Sequence, residues 1–103
     1  EMIVTKGDRN PIGGALKKSN LFTKHHYQLA RDDQFYLYTD GFQDQFGGEF
    51  GKKIMAAPFR KILFQTAQLP INEQHSALVQ TFEDWTHNSY KQIDDILVIG
   101  IRI

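Results

Sequence analysis

Two acidic sites border the two most strand-prone stretches of the chain. Gln34-Phe35-Tyr36-Leu37-Tyr38-Thr39-Asp40-Gly41 is an aromatic run closed by a carboxylate and a glycine, and Asp94-Asp95 stands directly before the apolar run Ile96 to Ile103. Placed antiparallel, the end of the first strand and the start of the second share one edge of a sheet, so the carboxylates converge. An isolated charge beside apolar surroundings is costly, and such charges persist when they are paired or bind a cation. Oxygen donors, in a chain with no cysteine, favour a hard and largely hydrated ion, Mg²⁺ or Mn²⁺. Each site also has a plain structural use, because Asp-Gly closes hairpins and Asp-Asp makes a solvated corner. Residue physics by itself leaves both readings open.

The remaining polar residues offer less. Adjacent His25 and His26 point to opposite faces of an extended segment and do not converge on one ion. His75 and His87 are most simply surface positions on or near a helix. Gly47-Gly48 followed by Lys52-Lys53 is a candidate anion cradle, but it lacks the phosphate-loop spacing, and a solvated loop is the simpler account. No zinc-protease helix, nucleophile elbow or dinucleotide fingerprint occurs. A receiver-type acidic pocket needs its acidic pair at the C-terminal end of a strand, and Asp94-Asp95 sits at the N-terminal end.

The elements that must position the acids follow from periodicity. Met2-Ile3-Val4-Thr5 is a short β-prone run, and Lys6 to Pro11 is rich in turn residues. Pro11-Ile12-Gly13-Gly14 makes a tight connection. From Thr23 to Ala30 the pattern alternates, with Tyr27 and Leu29 on one face, and Arg31-Asp32-Asp33 forms a turn. Together with Gln34–Thr39 this predicts an antiparallel hairpin over Thr23–Thr39. Gly41 to Lys53 holds four glycines and no clean period, so it reads as an irregular loop. A helix is expected over Pro58 to Gln65, with Phe59, Ile62 and Leu63 on one face. Leu69-Pro70 breaks it. Asn72 is placed to cap a second helix with Glu73 in its first turn, and that helix ends near His87-Asn88. Its stripe of Ile71, Leu78, Phe82 and Trp85 reads as core packing. Ile96 to Ile103, apolar on both faces, predicts a buried central strand covered on both sides.

Composition narrows the function classes. The 103 residues allow one small domain or a piece of a larger one, and 41% hydrophobic with 23% charged residues is ordinary for a globular fold. Twelve basic residues balance twelve acidic ones, and no Lys/Arg block stands out. A nucleic-acid or anionic-membrane surface is therefore not expected. The absence of cysteine excludes disulfide staples and thiolate metal sites and fits a reducing compartment. No apolar run approaches the roughly 20 residues of a membrane span. A soluble, cytoplasmic domain is expected.

The motifs taken together resemble a known family. Phe35-Tyr36-Leu37-Tyr38-Thr39-Asp40-Gly41, then Asp44-Gln45-Phe46-Gly47-Gly48 with Lys52-Lys53, and finally Gln92-Ile93-Asp94-Asp95-Ile96-Leu97-Val98-Ile99-Gly100 are similar to the C-terminal half of the stage II sporulation protein E-type serine phosphatases. These are bacterial relatives of the metal-dependent type 2C protein phosphatases. Pro11-Ile12-Gly13-Gly14 resembles the loop before the family's Thr-Asp-Gly strand. The resemblance implies an α+β fold: a mainly antiparallel sheet with two to three helices packed on it, half of an α-β-β-α sandwich. It implies that Asp40 and Asp94 are ligands of a two-metal Mn²⁺/Mg²⁺ site, that Gly41 permits the turn and that Asp95 supports it. Lys52 and Lys53 become candidate phosphate contacts. The implied chemistry is hydrolysis of phosphoserine or phosphothreonine by metal-activated water, without a covalent intermediate. The implied partner is a phosphorylated regulatory protein such as an anti-sigma-factor antagonist, with a sensor domain upstream.

Two departures shape the expectation. The family's N-terminal motifs, an Asp-bearing strand and an Asp-x-x-Gly-His-Gly-like segment with further metal ligands, do not occur, so the chain reads as a single partial domain that is inactive alone and able to self-associate. The alternative is a catalytically silent phosphatase-like module that binds a signalling partner. Asp32 stands at a turn position where relatives often carry glycine, a change that aspartate tolerates because it accepts left-handed backbone.

Overall fold

A computed structural model describes residues 2–9, 22–87 and 89–103. Among these residues the order of elements is β1 (Gln34–Tyr38), β2 (Phe46–Gly47), β3 (Lys52–Lys53), α1 (Ala56–Thr66), α2 (Ile71–Thr86) and β4 (Val98–Arg102). The class is α+β. Strands β1 and β4 pair antiparallel, with Tyr38 opposite Val98, Tyr36 opposite Gly100 and Gln34 opposite Arg102. The ladder continues at both ends. Thr39 N–H donates to Leu97 C=O at 3.0 Å, and Ile103 N–H donates to Asp33 C=O at 2.9 Å.

Alternation along β1 sends Tyr36 and Tyr38 to one face, where they pack with Val98 against the helices. The core is Phe42, Ile54, Phe59 and Leu63, with Phe59 fully enclosed. Phe42 stacks on Phe59 at 4.8 Å between ring centroids, and Tyr38 meets the same ring edge-on at 5.0 Å. Phe59 and Leu63 lie one turn apart on α1, so a single helix face supplies both. Pro58 falls within the first turn of α1, where its missing N–H leaves no helical bond unmade. From α2, Leu78, Phe82 and Trp85 close the core.

Several expectations are corrected. Residues 22–30 form no strand, and Tyr27 and Leu29 are exposed, so the hairpin over Thr23–Thr39 does not form. Alternation supplies a face but not a ladder partner. The Ala30 N–H is taken by the Asp33 carboxylate at 2.8 Å, and β1 draws its ladder from β4 instead. Met2–Thr5 is likewise exposed and without regular structure. Pro11 to Gly14 lie outside the described residues. The 41–53 segment is not wholly irregular: β2 and β3 make a two-residue antiparallel pair, Phe46 opposite Lys53 and Gly47 opposite Lys52. Asn72 does not cap α2, whose first residue is Ile71 and whose N-cap is Pro70. Ile71 itself is exposed, off the apolar stripe. Finally, β4 is not covered on both sides. Its outward face, with Leu37 from β1 and Ile99 and Ile101 from β4, is 41–59% exposed. Apolarity on both faces did not distinguish a covered strand from one with an open face.

The turn before β1 met its expectation. Asp32 adopts φ 72, the left-handed conformation that aspartate accepts better than most residues.

Candidate functional site

Asp40 sits one residue beyond the β1–β4 ladder, between two residues that belong to the core. Tyr38 packs edge-on with Phe59, and Phe42 is buried in a stack with the same ring. The intervening backbone folds into a tight turn in which Asp44 N–H donates to Asp40 C=O at 2.9 Å. Packing thus fixes the path of the chain through Asp40, while residue 40 itself stays exposed.

The antiparallel register brings Asp94-Asp95 to this turn. Thr39 supplies two further ties: its hydroxyl accepts the Leu97 N–H at 3.1 Å and donates to the Asp95 carbonyl at 3.4 Å. Gly41 is buried with its Cα turned to Asp95, and any Cβ at this position would collide with the Asp95 carbonyl oxygen. Glycine is required here for close approach, a different reason from the turn freedom expected of it. Upstream, the Gln45 side chain is completely enclosed and its Nε2 donates to Lys91 C=O at 2.9 Å and to Phe46 C=O at 3.0 Å. Asp94 and Asp95 follow on an exposed segment, where the Asp94 carboxylate accepts the Asp95 N–H at 2.8 Å. Gln92, Ile93, Asp94 and Asp95 line a shallow open depression.

The Gly-Gly motif serves packing, and the Lys-Lys motif is exposed. Gly47 and Gly48 lie against Trp85, whose indole ring and carbonyl occupy the space that side chains there would need. Gly48 N–H donates to Trp85 C=O at 2.8 Å, and the indole N–H donates to Gln45 C=O at 2.9 Å. These glycines seat a tryptophan. Lys53 stands 3.9 Å from the Asp44 carboxylate and over the Phe46 ring at 5.6 Å, and Lys52 is exposed.

Sequence reasoning missed Thr39 and Gln45. Thr39 was visible only as the end of a strand. The signal for Gln45 was a polar residue inside Phe42 to Phe46, where an enclosed amide must find partners.

Among the described residues, no group of three or more acidic, histidine or cysteine side chains is placed to hold a metal ion. What the turn offers is two carboxylate segments at one sheet edge. That donor set fits a hard ion that keeps most of its water and takes one or two protein carboxylates.

Comparisons with known proteins follow the same lines. The family model for Stage II sporulation protein E (SpoIIE) matches residues 3–103. Among solved structures, the SiaA-PP2C domain of Pseudomonas aeruginosa is similar at 38% identity and a TM-score of 0.62, over 68% of this chain and 28% of that one. The chain thus corresponds to under a third of that relative's length. Among curated proteins, none matches. A family match over nearly the full chain, on a core like that of a PP2C domain, shows that the chain belongs to the SpoIIE family of PP2C-type phosphatase domains.

Proposed function

We propose that the complete domain is a metal-dependent protein serine/threonine phosphatase and that Asp40 and Asp94 are its metal ligands in this chain. The observation that carries the reading is the buried contact of Gly41 with the Asp95 backbone, which holds the two acidic segments together at one sheet edge. Mn²⁺ or Mg²⁺, when bound, supplies charge stabilisation at the phosphoryl group and lowers the pKa of an attacking water. The chain's own part is positioning. Tyr38 and Phe42 fix the turn that carries Asp40, the missing side chain at Gly41 admits the partner segment, and Asp95 supports Asp94. Lys52, exposed on β3, and Lys53 beside it are suited to contact a phosphate-bearing partner. The substrate class is a phosphorylated regulatory protein, such as an anti-sigma-factor antagonist, presented to a domain governed by an upstream sensor. No helix among the described residues is long and apolar enough to cross a membrane.

The test is turnover of a phosphoserine peptide with Mn²⁺ by the full-length protein. Asp40→Asn is expected to lower kcat by at least about 100-fold, the scale of losing one electrostatic stabiliser of the transition state. Turnover that survives this change sinks the ligand assignment. No turnover by the wild type, with partner binding intact, favours the silent binding module.

A further inference from the structure

Asp94 and Asp95 are carried by neither a strand nor a helix, yet the spacing between the two acidic segments has to be held. We propose that Thr39 and Gln45 are positioning residues that set this spacing, one on each side of Asp40. The inference rests on the phosphatase reading for its purpose, though not for its geometry.

Thr39 acts downstream of the acids. Its hydroxyl accepts the Leu97 N–H at 3.1 Å and donates to the Asp95 carbonyl at 3.4 Å, while its backbone N–H donates to Leu97 C=O at 3.0 Å. Gln45 acts upstream, through the 2.9 Å bond from its Nε2 to Lys91 C=O. The Gln45 side chain is itself immobilised: it is fully enclosed, and its backbone carbonyl accepts both the Trp85 indole N–H at 2.9 Å and the Ile54 N–H at 3.3 Å. A glutamine in the core whose Oε1 has no partner among the described residues is an expensive way to fill space. Here its amide N–H groups serve the neighbouring Phe46 carbonyl and the Lys91 carbonyl, three residues before Asp94. The two ties therefore clip the chain from Lys91 to Leu97 onto the Asp40 turn at both ends, and the acids sit on the span between them.

The experiment uses the full-length protein, with Thr39→Val and Gln45→Met as near-isosteric changes, Thr39→Ser as the conservative rescue, and Gln74→Met as a destabilising control at the far end of the sheet. Hydrogen exchange of the Leu97 amide, measured without metal, reads the downstream tie. It is expected to speed by about tenfold or more in Thr39→Val, relative to amides within β4, and to return toward wild type in Thr39→Ser. Mn²⁺ broadening of the Asp40 and Asp94 amide resonances reads the spacing. Both are expected to respond together in the wild type, with apparent affinity about tenfold weaker in Thr39→Val and Gln45→Met and unchanged in Gln74→Met, on the scale of losing an outer-shell partner. Unaltered Leu97 exchange in Thr39→Val, or equal weakening in Gln74→Met, overturns the proposal. Should Gln45→Met fail to fold, Thr39→Val, at an exposed site, still decides it. A wild type that binds no Mn²⁺ at these amides counts against the metal-ligand reading, and the metal-free exchange then judges the positioning claim separately.

Discussion

The two segments that carry the acids are held in opposite ways. Asp40 lies between Tyr38 and Phe42, and both rings pack on the enclosed Phe59. Its backbone is in effect part of the core. Residues 91–95 are exposed throughout, Ile93 at 57%, and they are held by hydrogen bonds from Thr39 and Gln45 and by the vacant side-chain space at Gly41. A packed core moves in discrete arrangements and resists small shifts, whereas a segment with few buried contacts opens locally at little cost. The site thus combines one fixed half with one tied half. The fixed half sets where the first carboxylate stands, and the ties set how near the second one comes.

The largest expected effect tests the fixed half. Phe42→Ala removes a ring buried against Phe59 and Phe82 and should cost about 3–5 kcal/mol in denaturant unfolding. That is a large share of the stability of a small domain. Ile93→Ala, in the tied half, should change stability by no more than about 0.5 kcal/mol. Equal losses at the two positions would erase the contrast between packed and tied.

Gly41→Ala tests the junction of the halves. The new methyl group meets the Asp95 carbonyl oxygen, which is backbone and cannot swing aside. Overpacking of this kind costs about 1–3 kcal/mol, and the relief open to the structure is to push the Asp94-Asp95 segment outward. In the full-length protein a displacement of about 1 Å at a catalytic constellation can cost about 100-fold in rate, so turnover should fall further than stability. Gly7→Ala, with nothing within 4 Å among the described residues, is the control and should be silent. A Gly41→Ala protein with normal turnover would show that the spacing is set elsewhere.

What could be read from the sequence, and what could not, divides along the same line. Strand β1, the two helices and the meeting of the Asp40 turn with the Asp94-Asp95 segment follow from local periodicity together with an antiparallel pairing. Such features depend on neighbours in sequence or on a single long-range contact. The hairpin over Thr23–Thr39 failed because alternation says which face is apolar and not which strand supplies the hydrogen bonds. The double-sided cover of Ile96–Ile103 failed for a related reason: cover is supplied by other elements, and a strand's own composition does not name them. The contacts of Gly41 with Asp95 and of Gly47 and Gly48 with Trp85 were not legible, because close approach of a distant segment is a tertiary property that a glycine's local sequence does not show. Thr39 and Gln45 escaped notice because a side-chain tie to a distant carbonyl leaves no periodic trace.

The smallest expected effect lies at the other end of β1, where a third kind of fastening is found. The Tyr36 hydroxyl donates to Gln74 Oε1 at 2.6 Å, Gln74 Nε2 donates to Gln34 Oε1 at 2.8 Å, and Gln34 Nε2 donates to Ala67 C=O at 2.8 Å. This polar chain joins the strand to the corner between α1 and α2. Like the Gln45 tie and unlike the exposed Thr39 ties, it is partly buried, and burial pushes the Tyr36 phenol above its ordinary value of 10.0 although Arg102 nearby pulls it back. The folded chain therefore keeps the Tyr36 proton at a pH where the unfolded chain has released it. The contribution is intact below about pH 10 and is lost as pH rises through the folded value. Tyr36→Phe should cost about 1 kcal/mol at neutral pH through the lost hydrogen bond. Its Tm should then decline less steeply than that of the wild type between about pH 9 and 11, so the two profiles draw together. Because this fastening lies at the far end of the strand from the acids, Mn²⁺ binding should not follow the change. If the profiles stay parallel, Tyr36 ionises as readily in the folded chain as in the unfolded one, and the corner is held by packing like the Asp40 turn instead of by its hydrogen bonds.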